Sequence, residues 1–380
     1  MAVYLDHNAT SPIRPEAAEA VARALAIGGN PSSVHAAGRA ARAVVETARS
    51  DVAGLVGVKD GSITFTSGGS EANALAIDSA IVAGARRLLV SAADHASVLQ
   101  TAAASGVAVE AWPVDGDGLA DLAWLRARLA GWRAEDGRPF VAVALANNET
   151  GVIQPAAQIA QITHAAGGWL HLDAVQALGK IALNFAETGA DTLSLSAHKI
   201  GGPQGVGALA AGTGSTLARR QHGGGQERGR RGGTENVSGI AGFGAAARAA
   251  GQALTGFHEQ AAWRDAAQAR LENEACVTVF GAGAPRLPNV LCFAAEGLTA
   301  ERQVIALDLD GVMISAGAAC SSGKVAASPV ITAMGHMALA PCALRVSGGW
   351  NTSEADWARF AGAWLALSHR LRAGKRASAA

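Results

Sequence analysis

The chain has 380 residues and a formal net charge of zero at pH 7, and 49% of its residues are hydrophobic, which is enough to bury a sizeable core. This length predicts two domains rather than one. The balanced charge argues against a nucleic-acid-binding protein, which would carry a basic face. The apolar stretches are short and interrupted, so we expect no membrane span.

The cysteines and the N-terminus indicate the cellular compartment. No two cysteines have the spacing of a metal site, so we expect no metal. Four cysteines in a chain this long do not make a disulfide scaffold, which favours a reducing, cytoplasmic environment. The N-terminus lacks the basic start and apolar core of a secretory signal. The four cysteines are Cys276, Cys292, Cys320 and Cys342.

Short β-rich runs alternate with Ala-rich helical patterns in the first half of the chain. This alternation predicts an α/β fold in which helices cover a mainly parallel sheet. Ligands bind at the carboxyl ends of the strands in such sheets, so the polar residues that follow the strands are the first candidates for a site. The predicted strands are 62–66, 87–90, 140–145, 168–172 and 192–196, and the predicted helices are 71–83, 97–105 and 156–166.

The second half of the chain begins with a glycine-rich segment, 223–233. A long helical stretch, 237–274, follows it and is expected to lead into a second domain. A strand is predicted at 289–293. The last helix is expected to begin near Thr352–Glu354, where hydroxyl groups that can cap a helix precede acidic residues.

These patterns predict a large domain and a smaller C-terminal α+β domain. We expect the large domain to span residues 16–250. The small domain would combine residues 1–15 with residues 251–380 and would carry a loop near 315–330.

Lys199 follows the strand at 192–196 in a loop rich in hydroxyl groups and glycine. A lysine at the end of a buried strand loses hydration, which is costly unless the residue has a chemical task. Asp173 ends the preceding strand. A strand-end lysine beside a strand-end carboxylate suits pyridoxal phosphate, which needs a Schiff-base lysine and a carboxylate partner for its pyridinium nitrogen. Gln176 would point to the phenolic oxygen, although Asp173 is alternatively a helix cap.

The turn Thr66–Asn73 joins a predicted strand to a predicted helix. Its glycines, which include Gly69, let the backbone approach an anion, and the helix N-terminus offers free N–H groups. We therefore expect a phosphate there, with Ser70 donating its hydroxyl. An ordinary capped turn is the alternative, since glycine-rich turns of this kind are common.

Two more polar residues follow strands. His95 could lie over a pyridine ring and shuttle protons, although a lone histidine is more often structural. Asn148 belongs to an Asn-Asn pair before Gly151, which usually indicates a turn. Its amide could nevertheless reach a cofactor oxygen.

Cys320 and Arg345 are the candidates in the C-terminal part. Small residues surround Cys320 and Lys324 is nearby, which is typical of a reactive thiol. The other three cysteines are predicted to be small buried residues. Arg345 lies in an alternating strand pattern and could hold a substrate carboxylate by two hydrogen bonds. A surface salt bridge is the alternative.

Together these motifs resemble the cysteine desulfurases of the NifS and IscS type, within the class V aminotransferase group of fold-type I pyridoxal phosphate enzymes. The resemblance runs almost from end to end of the chain. It implies that the protein converts L-cysteine to L-alanine and leaves the sulfur as a persulfide on Cys320. The matching segments are 4–10, 29–33, 66–73, 147–151, 173–176, 196–205 and 222–234, with Cys320 and Arg345.

The resemblance also implies a role for each matching residue. Lys199 would carry the cofactor, and His95 would stack on the cofactor ring and act as acid or base at the substrate sulfur. Arg345 and Asn148 would orient L-cysteine, and Cys320 would be the nucleophile. Asp173 and Gln176 would bind the ring nitrogen and the phenolic oxygen.

The phosphate of the cofactor would be held by Ser70, Ser196 and His198. Thr234 would reach the phosphate bound by the other subunit, so the resemblance implies a homodimer. The sulfur would pass to an iron–sulfur scaffold or another sulfur-acceptor protein.

Other functions remain open from the sequence. One is a selenocysteine lyase or another class V aminotransferase or lyase, although the Cys320 segment resembles the NifS and IscS style. Another is a sulfur carrier that keeps the fold without catalysis. The presence of Lys199, Asp173, His95 and Cys320 argues against the carrier.

Overall fold

The structure is a computed structural model that describes residues 2–317 and 327–379, so Cys320 and Lys324 lie outside the described residues. The helices are α1 Pro15–Leu25, α2 Ala36–Val56, α3 Gly69–Val82, α4 Ala96–Ala103, α5 Leu122–Ala130, α6 Ala156–Ala165, α7 Phe185–Thr188, α8 Val237–Phe257, α9 Gln260–Glu274, α10 Ala300–Leu309, α11 Pro329–Ala333 and α12 Glu354–Ala379. The strands are β1 Val3–Tyr4, β2 Ile63–Thr66, β3 Arg87–Ser91, β4 Ala108–Trp112, β5 Phe140–Ala144, β6 Trp169–Asp173, β7 Thr192–Ser196, β8 Gly207–Ala211, β9 Thr278–Val279, β10 Val290–Ala294, β11 Val312–Met313, β12 Ser315–Ala316 and β13 Ala343–Ser347.

A seven-stranded sheet with the order β2-β8-β7-β6-β5-β3-β4 forms the centre of the first half. The pairs β3–β4, β3–β5, β5–β6 and β6–β7 are parallel, so the predicted α/β fold with a mainly parallel sheet is confirmed. Strand β5 is buried along its whole length. Because successive side chains of a strand point to opposite faces, Val141 and Val143 join one buried cluster while Phe140 and Ala142 join another.

Strand β8 is one that the sequence did not predict. It runs antiparallel between β2 and β7. Apart from Leu209 its residues are glycine and alanine instead of the β-branched residues that favour strands, so its sequence carries little strand signal. The small residues are needed, since a Cβ at Gly207 would lie 2.6 Å from the backbone of Gly68.

The predicted single helical stretch over 237–274 is wrong, because two helices, α8 and α9, divide it after Phe257. Helix α8 packs on α1 and α2, and its Phe243 belongs to the cluster under the large sheet. Helix α9 packs on α12, and its Leu271 belongs to a second cluster. The chain therefore bends where its apolar residues change from one core to the other.

The C-terminal part contains a four-stranded antiparallel sheet with the order β12-β13-β10-β9. Strand β1 from the N-terminus pairs with β11, and Leu5 joins the C-terminal hydrophobic cluster. The N-terminal segment thus runs from the C-terminal sheet to the ends of the central strands. The limits of the two domains stay a prediction.

The described cysteines differ in their burial. Cys292 and Cys342 are buried, but Cys276 is exposed, so the prediction of a buried residue was wrong for Cys276. It follows α9 at the edge of the fold rather than inside a strand.

Within the described ranges, no helix is both long and apolar enough to cross a membrane.

Candidate active site

Lys199 ends a short helical turn directly after β7, at the carboxyl end of the central strands. Its Nζ donates to the backbone carbonyl oxygens of Asn8, at 2.6 Å, and Ala9, at 2.8 Å. Ser11 binds the same turn, since its backbone N–H donates to the carbonyl oxygen of His198. The N-terminal segment therefore closes one side of the lysine site, which the sequence did not predict.

Gln176 is held beside Lys199 by the same N-terminal residue. Its Nε2 donates to the carbonyl oxygen of Asn8 at 2.9 Å, and its Oε1 accepts from Nζ of Lys180 at 2.7 Å. Lys180 also donates to Oδ1 of Asn8 at 2.8 Å and is only 3% exposed. Burial lowers the pKa of Lys180 well below its usual value. Sequence reasoning missed Lys180, although a lysine after an apolar run is the same signal that marked Lys199.

Asp173 ends β6 and is buried. Its Oδ2 accepts from Nδ2 of Asn73 at 2.8 Å, and its Oδ1 accepts from the backbone N–H of Val175 at 3.0 Å. The alternative of a helix cap is wrong, because residues 175–180 form turns instead of a helix. Oδ1 of Asn73 lies 3.0 Å from Nε2 of His171, whose pKa burial lowers to about 4. The carboxylate is thus oriented by a buried network.

His95 begins helix α4 and is half-buried. Its Nδ1 accepts from the backbone N–H of Ser97 at 3.1 Å and lies 2.8 Å from Oγ of the same serine. Because Nδ1 is an acceptor, the proton of the neutral ring is on Nε2. Ser97 Oγ also accepts from Asn73 at 2.8 Å, so His95 and Asp173 are connected through Asn73 and Ser97.

Asp94, next to His95, fixes the end of strand β3. Its Oδ1 accepts from the backbone N–H of Ala144 at 2.6 Å, at the end of β5. Burial raises the pKa of Asp94 well above its usual value, and nearby Asp173 adds to this shift. Its Oδ2 makes no hydrogen bond with a described residue. Asp94 therefore ties together the two strands that carry His95 and Asn148.

The predicted phosphate site is at the start of helix α3. Gly68 is at the cap position and provides no side chain to the first N–H groups of the helix. A Cβ at Gly69 would lie 2.6 Å from Val175 and 3.6 Å from Cβ of Ser196, so Gly69 and Ser196 are neighbours. Ser70 is exposed. The site thus has uncapped N–H groups and a hydroxyl, as an anion requires.

His198 lies between the N-terminal segment and the lysine turn. Its Nδ1 is 3.2 Å from Oγ1 of Thr10. Burial, together with the charges of Lys199 and Lys180, lowers the pKa of His198 to about 4. A neutral imidazole can therefore donate one hydrogen bond to a phosphate oxygen.

Thr234 is exposed and belongs to the glycine-rich segment. It lines a cavity of about 190 Å³ with Thr66 and Ser67 of the phosphate turn. Arg231 of the same segment donates from Nε to Oε1 of Glu71 at 2.9 Å, in the first turn of α3. The glycine-rich segment is thus attached to the predicted phosphate site of its own chain.

Arg345 lies in β13 and is only 2% exposed, so it is not a surface salt bridge. Its Nη2 donates to Oδ1 of Asp6 at 2.7 Å, and its Nη1 donates to the carbonyl oxygen of Asn148 at 3.3 Å. Its Nε is buried and makes no hydrogen bond with any described residue. A buried donor without a partner is what a carboxylate-binding arginine would offer to a ligand.

Glu149 is a second residue that the sequence did not single out. It is 3% exposed, and its Oε2 accepts from Oγ of Ser328 at 2.5 Å. A Cβ at Gly317 would lie 2.5 Å from the same oxygen. Burial raises the pKa of Glu149 to about 7, against the opposing charges of Arg345 and His95. Glu149 therefore contacts both ends of the segment that contains Cys320.

These residues fit pyridoxal phosphate. The first N–H groups of α3 have no side-chain cap and lie beside Ser196, as a phosphate requires. The carboxylate of Asp173 is buried and ordered, which suits a protonated pyridine nitrogen. An amine, Lys199, and an amide N–H donor, Gln176, meet at the carbonyl oxygen of Asn8. Within residues 2–317 and 327–379, no group of three His, Cys, Asp or Glu could hold a metal ion.

The chain matches one family model, described as Aminotransferase class-V, over residues 3–360. This match covers nearly all of the described chain. It includes every site residue described above.

Curated relatives agree with this match. A cysteine desulfurase of Cereibacter sphaeroides is 43% identical over 342 residues, which cover 87% of this chain and 86% of the relative. The cysteine desulfurase IscS of Dictyoglomus turgidum is 36% identical over 364 residues, which cover 93% of this chain and 91% of the relative.

Solved structures have the same fold. The X-ray structure of a NifS-like protein from Rickettsia africae superposes with a TM-score of 0.89 at 31% identity, and the alignment covers 97% of this chain and all of the other. A structure described as SspA in complex with cysteine gives a TM-score of 0.76 at 27% identity, covering 91% of this chain and 98% of the other.

Proposed function

The chain belongs to the class V aminotransferase family and is a cysteine desulfurase, and on that premise we propose how its own residues bind pyridoxal phosphate, hold L-cysteine and take up its sulfur. The observation that carries the proposal is the meeting of Lys199 and Gln176. Both donate to the carbonyl oxygen of Asn8, at 2.6 and 2.9 Å, although they come from the ends of two different strands.

The phosphate group would be held at the start of α3. The first N–H groups of the helix, Gly69 among them, would bind the phosphate together with the hydroxyls of Ser70 and Ser196. His198 donates one hydrogen bond as a neutral ring. In a homodimer Thr234, which is exposed, would reach the phosphate bound by the other subunit, whereas within its own chain it lines a cavity with Thr66 and Ser67.

His95 would stack on the ring of the cofactor. Asp173 would hold the proton on the ring nitrogen, and Gln176 would donate to the phenolic oxygen. The amide of Asn148 would reach a cofactor oxygen. When bound, pyridoxal phosphate supplies a Schiff-base linkage and an electron sink for bonds that break at the substrate.

Lys199 and Arg345 then act on L-cysteine. Lys199 is the base for the α-proton, because its Nζ is held at the site by two backbone carbonyls. Arg345 binds the substrate carboxylate through its Nε, which has no hydrogen bond with a described residue, while Asp6 fixes its other end. His95 carries its proton on Nε2 and is the acid or base at the substrate sulfur.

Cys320 is the nucleophile. It lies outside the described residues, three positions after Gly317, which contacts Glu149. Its thiolate attacks the substrate sulfur, so that an S–S bond forms as the C–S bond breaks. The electron pair of that bond remains with the carbon skeleton, which takes up a proton and leaves as L-alanine.

The persulfide on Cys320 passes its sulfur to an iron–sulfur scaffold or another acceptor protein, in the cytoplasm. The second candidate is a selenocysteine lyase of the same family. That activity needs no attacking cysteine, so it would not depend on Cys320.

The test is the release of sulfide and alanine from L-cysteine in the presence of a reductant. We expect equal amounts of both products from the wild type and neither from Cys320→Ala. Cys276→Ala is the matched control, because Cys276 is exposed and lies outside the site; it should retain full activity. Activity that persists in Cys320→Ala would contradict the persulfide and favour the lyase.

A further inference from the structure

Lys180 is a second lysine in the active site, and none of the assigned roles uses it. It is 3% exposed. The charged groups that act on it are Lys199 and Arg345, which are both positive, and no carboxylate of the described residues pairs with it. A buried lysine without a counter-ion is costly, so its presence calls for a function.

The hydrogen bonds of Lys180 suggest what that function is. Its Nζ donates to Oε1 of Gln176 at 2.7 Å and to Oδ1 of Asn8 at 2.8 Å. An amide presents an acceptor on one side and donors on the other, and in both of these contacts Nζ of Lys180 is the donor. Lys180 therefore selects the orientation of both amides, with each oxygen towards itself and each nitrogen away.

The nitrogen atoms of the two amides, Nε2 of Gln176 and Nδ2 of Asn8, both point into the site. Nε2 of Gln176 donates to the carbonyl oxygen of Asn8, which also accepts from Lys199. The second N–H of Gln176 makes no hydrogen bond with a described residue. Nδ2 of Asn8 donates to the carbonyl oxygen of Asn148 at 3.1 Å, which also accepts from Arg345. Lys180 thus orients one N–H donor beside Lys199, on the proposed cofactor side, and another beside Arg345, on the proposed substrate side.

We propose that Lys180 is a positioning residue that fixes the amide orientation of Gln176 and thereby directs an N–H donor to the phenolic oxygen of bound pyridoxal phosphate. With the amide reversed, Gln176 would present its carbonyl oxygen to the phenolic oxygen, and the two acceptors would repel each other. This role rests on the proposed function, because it takes Lys199 as the cofactor-linking lysine.

The other titratable groups around Lys180 do not replace it. His7 and His198 both face its charge, and burial lowers their pKa values to about 3 and about 4, so both rings are neutral. Among the described residues, Lys180 is the one that donates to Oε1 of Gln176. Replacing Lys180 with an apolar residue removes the contact at Oε1 and leaves the amide orientation to the single hydrogen bond from Nε2 to the carbonyl oxygen of Asn8.

The experiment measures the pH at which the absorbance band of the bound cofactor changes. A donor at the phenolic oxygen favours its deprotonated form and lowers this midpoint. We expect Lys180→Met to raise the midpoint by about one pH unit, a tenfold change in proton affinity. Lys59→Met is the matched control, since Lys59 is exposed, and should leave the midpoint unchanged.

A double-mutant cycle separates orientation from charge. Lys180→Met is combined with Gln176→Leu, which removes the amide. If Lys180 acts through Gln176, the double variant should have the midpoint of Gln176→Leu alone. A shift of undiminished size in the Gln176→Leu background would mean that Lys180 acts by its charge, which overturns the proposal, as would an unchanged midpoint in Lys180→Met.

Two measurements keep the outcomes distinct. Borohydride reduction of the wild-type holoenzyme, followed by peptide mapping, should find the cofactor on Lys199; its absence there would overturn the proposed function and with it this role. Circular dichroism checks that the variants fold. If Lys180→Met does not fold, Lys180→Gln keeps one amide donor and should raise the midpoint by a smaller amount, and an unchanged midpoint there also overturns the proposal.

Discussion

The two sides of the active site are held in different ways. On the sheet side, Asp173 and His95 belong to strand ends of one sheet and are joined through Asn73 and Ser97. On the C-terminal side, Arg345 is held by Asp6 of the N-terminal segment, and Ser328 is held by Glu149 of the turn after β5.

This difference has a consequence for function. Asp173, Asn73, Ser97 and His95 are linked to one another by hydrogen bonds. Arg345 and Ser328 instead each depend on one carboxylate, Asp6 and Glu149, from another part of the chain. We therefore expect changes on the sheet side to affect the cofactor, and changes on the C-terminal side to affect substrate binding and pH dependence while the cofactor spectrum is kept.

The largest effect is expected from Lys199→Ala on the sheet side. Under the proposed function, removal of the amine should eliminate both the covalent attachment of the cofactor and the base for the α-proton. Activity should fall at least roughly thousandfold, because a positioned acid or base alone contributes 10²–10⁴-fold. The measurement is alanine release together with the absorbance spectrum. A variant that kept the wild-type band would show that another residue links the cofactor.

Glu149→Gln tests the contact between the two sides. Burial raises the pKa of Glu149 from 4.5 to about 7, so the folded protein binds a proton there that the unfolded chain releases above pH 4.5. The wild type is therefore stabilised at low pH relative to the variant, and this stabilisation is lost as pH rises through 7.

Between pH 5 and pH 8 the free energy of unfolding of the wild type should fall by about 2.5 kcal/mol relative to Glu149→Gln. Urea unfolding of both holoenzymes across this range measures the difference, in which the other titrating groups cancel. Parallel stability curves would contradict the raised pKa.

Arg345→Lys tests whether a change on the C-terminal side affects substrate binding while the cofactor spectrum is kept. The lysine keeps the charge but loses the planar set of donors that can bind Asp6 and a carboxylate together. The loss of one charged hydrogen bond is worth about 2 kcal/mol, so KM for L-cysteine should rise roughly thirtyfold.

The cofactor spectrum of Arg345→Lys should not change. Arg264→Lys is the matched control, since Arg264 is also buried but bonds the carbonyl oxygen of Leu287, outside the site. A lost cofactor band in Arg345→Lys would mean that the two sides are not independent.

The smallest effect is expected from Ser97→Ala. The change removes the hydroxyl that joins Asn73 to His95, at 2.8 Å from each. One net hydrogen bond is worth about 1 kcal/mol, so kcat should fall about fivefold with KM unchanged. Ser105→Ala, near the other end of α4, serves as the control. Equal kcat values for the two variants would remove the network from the mechanism.

The sequence alone determined the sheet side well. Strand periodicity placed Asp173, His95 and Lys199 at strand ends, and parallel strands bring their carboxyl ends to one edge of the sheet. The cofactor class followed from a lysine and a carboxylate at that edge. These inferences depend only on the order of apolar and polar residues within a short segment, which can be read without knowing the rest of the fold. Strand β8 and the break between α8 and α9 escaped because their signals are weak or depend on which core the helices meet.

Only the tertiary structure decided how the side chains meet. Asn8, Asp6 and Glu149 act on residues more than 100 positions away, and no local pattern encodes such contacts. The orientation of an amide is likewise set by its partner, as Gln176 is by Lys180. Lys180 looks like Lys199 in sequence, since both follow apolar runs. Packing alone buries Lys180 among amides and leaves Lys199 at the edge of the sheet. The free energy of a buried lysine depends on the partners that the fold brings to it.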